Sequence, residues 1–132
     1  MQVLIMILQV IVGLGILNVW LVRRNRPTPF RGGHTKNMDA EFNYYGLPKW
    51  SVILVGFFKV SLALIILSGF IFPAMTAIGA AGLGVFMLGA VVMHVKVQDN
   101  AVQTLPALLM LVMCGVLAFA SQPDLLTTLS NL

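Results

Sequence analysis

Residues 50–95, WSVILVGFFKVSLALIILSGFIFPAMTAIGAAGLGVFMLGAVVMHV, decide the fold. The stretch carries one Lys or Arg, Lys59, and is broken once, at Pro73-Ala74. Each half is long enough, at about 1.5 Å per residue, to cross about 30 Å of hydrocarbon. A break that short makes the second helix return beside the first as a helical hairpin. The pattern predicts membrane spans over about residues 50–72 and 75–95.

Working outward, two more apolar runs have the same length. Residues 2–22 are interrupted only by Gln9, Asn18 and two glycines. No basic residue precedes this run, its apolar part is long for a signal peptide, and small residues at cleavage spacing are missing before Arg23, so an uncleaved anchor is expected. The fourth span is expected over about residues 102–120, with Thr104 as its cap and Pro106 in the first turn, where a missing N–H matters little. Of 132 residues, 59% are hydrophobic and 9% charged, with a mean hydropathy of +0.97. A soluble domain would lack the polar surface to cover itself. The expected fold is therefore all-α, one integral membrane four-helix bundle spanning residues 1–132, in contact with the lipid bilayer.

The one long polar segment is the loop of residues 23–49, beginning RRNRPTPFRGG. Inside it, Asn37 is placed to cap a short helix with Asp39 and Glu41 in its first turns and Gly46 as its stop. Phe42, Tyr44 and Tyr45 are then expected at headgroup depth. The tail SQPDLLTTLSNL is expected to be partly interfacial. With four alternating spans, Arg23, Arg24, Arg26, Arg31, Lys36, Lys49 and Lys96 all fall on one face and no Lys or Arg on the other. That asymmetry predicts cytoplasmic connecting loops with both termini outside. An odd number of spans would destroy the segregation. The same placement gives the net charge of +4 a topological meaning, and nucleic acid is not expected as a partner.

Small residues allow close helix approach in lipid, and Thr76, Ala80 and Gly84 recur at four-residue spacing on the third span. Gly13, Gly15, Gly56, Ser61 and Gly115 offer further approaches, and packing within the bundle is expected rather than dimerisation. Cys114, the single cysteine, lies in an apolar run and reads as a small buried hydrophobe.

The polar residues within or beside the spans carry the functional reading. Lys59 falls nine positions after Trp50, about 13 Å into the bilayer. A lysine at that depth faces the bundle interior or a wet cavity, with helix-end carbonyls, Gln9 or Asn18 as partners, because no acid lies in any span. His94 closes the third span and Asp99 follows it. Together with Lys59 they form a candidate intramembrane polar site suited to an anionic headgroup, a quinone carbonyl or a proton relay, against the plainer reading that they cap helix ends. His34 has no second histidine or cysteine at ligand spacing, so no metal site is expected, and no catalytic motif is present.

The segments LNVWLVRRNRPTPFRGG, EFNYYGLPKW, VGFFKVSLALIILSGF, FMLGAVVMHVKVQD and TLPALLMLVMCGVLAF together resemble the DoxX-like family of small bacterial four-helix membrane proteins, over about residues 10–120. The pieces that carry the resemblance are Y-G-L-P-x-W entering the second span, the G-x-x-K step from Gly56 to Lys59, and His94 followed by Asp99. The resemblance implies the bacterial cytoplasmic (inner) membrane and a redox-accessory role, with quinone as its one implied cofactor. Many relatives carry an acid where Lys59 stands, so a role assigned to that acid does not carry over unchanged. Three functions are expected in descending order. The first is a non-catalytic accessory or scaffold subunit of a membrane complex, not an enzyme on its own, whose partner is another membrane protein or a second copy. The others are a quinone-interacting subunit and a transporter of small solutes or lipids, the last weakened by the lack of an inverted repeat.

Overall fold

The computed structural model describes residues 2–121, and the tail beyond them lies outside the described residues. These residues form five α-helices: α1 (Gln2–Leu17), α2 (Met38–Tyr44), α3 (Trp50–Ser68), α4 (Ala74–Lys96) and α5 (Ala101–Ala120). α1 runs on into a π-helical turn, Asn18–Val22, so the first apolar helix is continuous over Gln2–Val22. That helix and α3, α4 and α5 are each long and apolar enough to cross a membrane. α1 packs against α3 and α5, α3 against α4, and α4 most extensively against α5, which closes the ring of four.

The reason for this packing is visible in the glycines. A Cβ on Gly79 would come 2.8 Å from Ile66, and one on Gly82 would come 2.8 Å from Leu62, so α3 and α4 meet where side chains are missing. A Cβ on Gly84 would lie 3.5 Å from Cys114, in ordinary contact with α5. Thr76 and Ala80 are buried on the same side of α4, so the small-residue stripe is used within the bundle. Gly13 faces Leu67 and Gly15 faces Met110, as expected; Gly115 does not pack, because nothing stands within 4 Å of its missing Cβ. The outward faces are apolar: Ile53, Phe57, Val85 and Phe119 are each at least 66% exposed, as a lipid-facing surface requires.

The first helix of the expected hairpin ends earlier than the hydropathy suggests, whereas the second covers residues 74–96, close to its expected span. α3 stops at Ser68, whose hydroxyl donates to the Ile65 carbonyl, and residues 69–73 form the turn before α4. Gly69 is needed there because a Cβ would overlap the Thr76 hydroxyl. Gln9 closes this end from α1, donating to the Ile66 carbonyl at 3.2 Å and to Thr76 at 2.9 Å.

At the other end the start of α5 corrects the expectation about Thr104. Asn100 is the cap: its side chain accepts from the Gln103 N–H, and Gln103 accepts from the Asn100 N–H, both at 3.1 Å. The side chains of this reciprocal box meet two free N–H groups, whereas Thr104 lies inside the helix and donates back to the Asn100 carbonyl at 3.0 Å. The helix therefore begins earlier, and Pro106 falls in its second turn. α2 forms as expected. Asn37 accepts from the Ala40 N–H at 2.8 Å, and Gly46, at φ +81°, ends the helix. The Leu47 and Gly46 N–H groups donate to the Phe42 and Asn43 carbonyls, which makes this a Schellman stop.

Candidate functional site

The long loop and the 97–100 loop meet at one end of the bundle, where the Gly33 N–H donates to Asp99 at 3.1 Å. Below them lies a largely apolar cavity of about 670 Å³, bounded by α1, α3, α4 and α5 and roofed by α2 and the loop. Lys59 and His94 both line it. Asp99 does not; it stands behind His94 with its carboxylate 2.8 Å from Nδ1. Of the three residues singled out from the sequence, two therefore face the cavity and the third orients one of them.

The lysine's surroundings explain the Gly56-to-Lys59 step. The π-turn at Asn18–Val22 directs Trp20 inward, where it is 6% exposed. A Cβ on Gly56 would come 2.7 Å from the Trp20 ring, so glycine is what admits the indole. Three residues later on the same helix face, the Lys59 ammonium lies 5.6 Å from that ring's centroid. The expected partners are not used: Gln9 is committed at the opposite end of the bundle. Among the described residues, Lys59 enters no hydrogen bond or ion pair.

α2 supplies the polar roof, and here the expectation of three interfacial aromatics is corrected. Only Tyr44 is exposed, whereas Phe42 and Tyr45 are buried. α2 lies across the bundle end with Met38, Phe42 and Tyr45 on its inner face, and Phe42 meets Trp20 edge-on at 6.0 Å. Placing Tyr45 inward creates a chain of contacts. Its hydroxyl donates to Glu41 at 2.7 Å, one helical turn back, and stands 3.4 Å from His94 Nε2. Burial, reinforced by the Glu41 carboxylate, pushes the Tyr45 phenol far up from its ordinary value, so it remains a protonated donor.

Glu41 is fixed on its other oxygen by Arg31 at 3.1 Å. Arg31 is 4% exposed and also donates to the Arg23 carbonyl at 2.6 Å and to the Arg26 carbonyl at 2.9 Å, drawing the loop onto the bundle. Gln103 donates to the Arg31 carbonyl at 3.1 Å, and Lys96 to the Tyr45 carbonyl at 3.3 Å. The result is one buried chain, Asp99–His94–Tyr45–Glu41–Arg31, along the loop end of the cavity. Sequence reading missed Arg31, Tyr45, Gln103 and Trp20. The i, i+4 spacing of Glu41 and Tyr45 on a well-capped helix was the available signal for one pair. No local pattern separates Arg31 from the topological arginines around it. Among the described residues no three His, Cys, Asp or Glu side chains form a metal-holding group, and His34 is exposed.

The family model described as DoxX-like family matches residues 31–117, more than half of the chain. The matched stretch runs from Arg31 through Glu41, Tyr45, Lys59, His94 and Asp99 to Gln103 and leaves Trp20 outside. No curated protein and no solved structure matches the chain.

Proposed function

We propose that this chain, which belongs to the DoxX-like family, is a membrane subunit that holds a lipid-soluble quinone at the loop end of its bundle and serves a larger membrane complex as an accessory. The cavity carries this reading. A volume of about 670 Å³, with mostly apolar walls and a few convergent polar groups, has the size and chemistry of a small-molecule site. Lys59 offers an ammonium to a quinone carbonyl from one side, and the His94–Tyr45–Glu41 wall offers hydrogen-bonding groups from another. Val19 and Val85 on the rim are 37% and 70% exposed on the apolar faces of their helices, which supports loading sideways from the bilayer.

The seven Lys and Arg of the loop end, against none at the turn end, support an arrangement with both termini outside and the loops in the cytoplasm, in a bacterial inner membrane. Labelling of single cysteines at Lys36 and Phe72 by an impermeant reagent tests this: with intact cells, Phe72→Cys should react and Lys36→Cys should not.

Trp20 in the cavity wall reports on the ligand. In a Trp50→Phe background only Trp20 remains, and a short-chain quinone added to the protein in lipid nanodiscs should quench it to saturation. Lys59→Leu should weaken that quenching. Quenching that rises linearly without saturating, identical in both proteins, would remove the quinone reading.

A further inference from the structure

Lys59 is a cation in the cavity wall that forms no ion pair among the described residues. It is 8% exposed, and its polar head lies 5.6 Å from the Trp20 ring centroid. The carboxylates nearby are committed elsewhere. Glu41 is held by Arg31 at 3.1 Å and by the Tyr45 hydroxyl at 2.7 Å. Asp99 sits behind His94, receiving its Nδ1 contact at 2.8 Å and the Gly33 N–H at 3.1 Å. From α5 the neighbouring group is Cys114, whose thiol is buried, and Arg23 adds a further positive charge at the exposed mouth. An ammonium left in this state at mid-depth is costly, because its desolvation is not offset by an ion pair. The indole itself does not call for a lysine here, since the Gly56 notch already makes room for the ring.

We propose that the cavity is a binding site for an amphiphile bearing one oxyanion, whose charged head pairs with Lys59 while its chain follows the apolar wall of Val55, Met87 and Met110 towards the bilayer. The proposal rests on the cavity being the site of a lipid-soluble ligand, but not on that ligand being a quinone. Two molecules in a bilayer present this chemistry. One is a fatty-acyl chain ending in a carboxylate. The other is a quinone that has accepted one electron from an external donor without a proton, so that its former carbonyl oxygen carries the negative charge. In either case the ligand supplies the missing counter-ion in a low-dielectric site, where a charge pair is far stronger than in water. The neutral analogue of the same shape lacks that pairing.

The test uses the full chain with Trp20 as its sole tryptophan, in nanodiscs of uncharged lipid. Dibromostearate and the corresponding dibromostearyl alcohol differ at the head and share the quenching bromines. The acid should quench Trp20 at a concentration about tenfold lower than the alcohol, the factor that corresponds to about 1.4 kcal/mol. Lys59→Gln should abolish the preference and Lys59→Arg should keep it. If Lys59→Gln does not fold, the acid–alcohol comparison in the unsubstituted lysine protein and in Lys59→Arg still decides. In a second arm, stepwise reduction of added short-chain quinone with dithionite is followed by electron paramagnetic resonance, and a semiquinone signal dependent on Lys59 identifies the quinone as the source. A preference for the acid with no quinone binding would uphold this proposal and end the quinone reading. Equal quenching by acid and alcohol together with no Lys59-dependent semiquinone, or a preference that survives in Lys59→Gln, would overturn it.

Discussion

The two ends of the bundle solve the same problem differently. At the turn end, the exposed backbone of a tight reversal is closed by one long side chain: Gln9 reaches from α1 to the Ile66 carbonyl and Thr76, and Gly69 leaves room for it. At the loop end, twenty-odd residues of connecting chain are drawn over an open cavity by a buried ion pair, an orienting carboxylate and a capping box. The turn end needs only to be closed. The loop end carries more buried polar chemistry than closure needs, and it surrounds the cavity that contains the unanswered Lys59. Buried polar groups are costly unless satisfied, so their concentration at one end marks where the fold spends stability on something other than packing.

Substitutions can break this comparison, and the largest effect should come at the loop end. Arg31→Met strands the Glu41 carboxylate and the Arg23 and Arg26 carbonyls together. Removing one partner of a buried pair costs about 3–5 kcal/mol, so thermal unfolding in mild detergent should shift sharply downward. A change no larger than that of an exposed arginine such as Arg23→Met would mean that the loop is not held by this network.

The turn end should respond through sterics instead. Gly69→Ala forces its Cβ onto the Thr76 hydroxyl and to within 2.8 Å of Gln9 Nε2, which should cost about 1–3 kcal/mol as overpacking. The combined Gly69→Ala, Thr76→Ala variant relieves the first clash and should recover part of the loss by the same unfolding assay.

Tyr45→Phe comes next, at about 1 kcal/mol for the lost bond to Glu41. Its pH dependence sharpens the prediction. Burial raises the folded-state value of the phenol, so the unfolded chain releases its proton first as the pH climbs past the ordinary value of 10.0. The stabilisation from Tyr45 is therefore complete below that pH and erodes above it. Unfolding curves of the parent protein should show this alkaline decline, and those of Tyr45→Phe should show less of it. The smallest effect is expected at Gly115→Ala. A Cβ there meets nothing within 4 Å, so the unfolding midpoint should stay within about 0.5 kcal/mol equivalent of the parent.

Much of this architecture was legible in the chain because hydropathy and length alone bear on it. The four spans, the hairpin, the Asn37 cap and the small-residue face of α4 each follow from local pattern. Lys59, His94 and Asp99 stood out because polar residues are rare in and beside such spans. What escaped was set by tertiary geometry. Arg31 lies among arginines that a charge count explains equally well, and only the fold shows which of them is buried. Tyr45 and Phe42 face inward because α2 crosses the bundle end, an orientation that the seven residues of α2 do not encode by themselves. Thr104 reads as a cap because it stands just before the apolar run, whereas the reciprocal Asn100–Gln103 bonds begin the helix earlier.

The central claim is that the loop-end cavity is a ligand site and not a packing defect. Ala90 lines it from α4, half-buried, and Ala90→Phe would fill the space that a ligand's chain occupies. Native mass spectrometry of the protein released gently from its own membrane compares the two. The account predicts a bound lipid-soluble molecule on the parent protein that is absent from Ala90→Phe, with the two proteins unfolding at similar temperatures. A parent protein that emerges bare, or the same molecule retained equally by both, would contradict it.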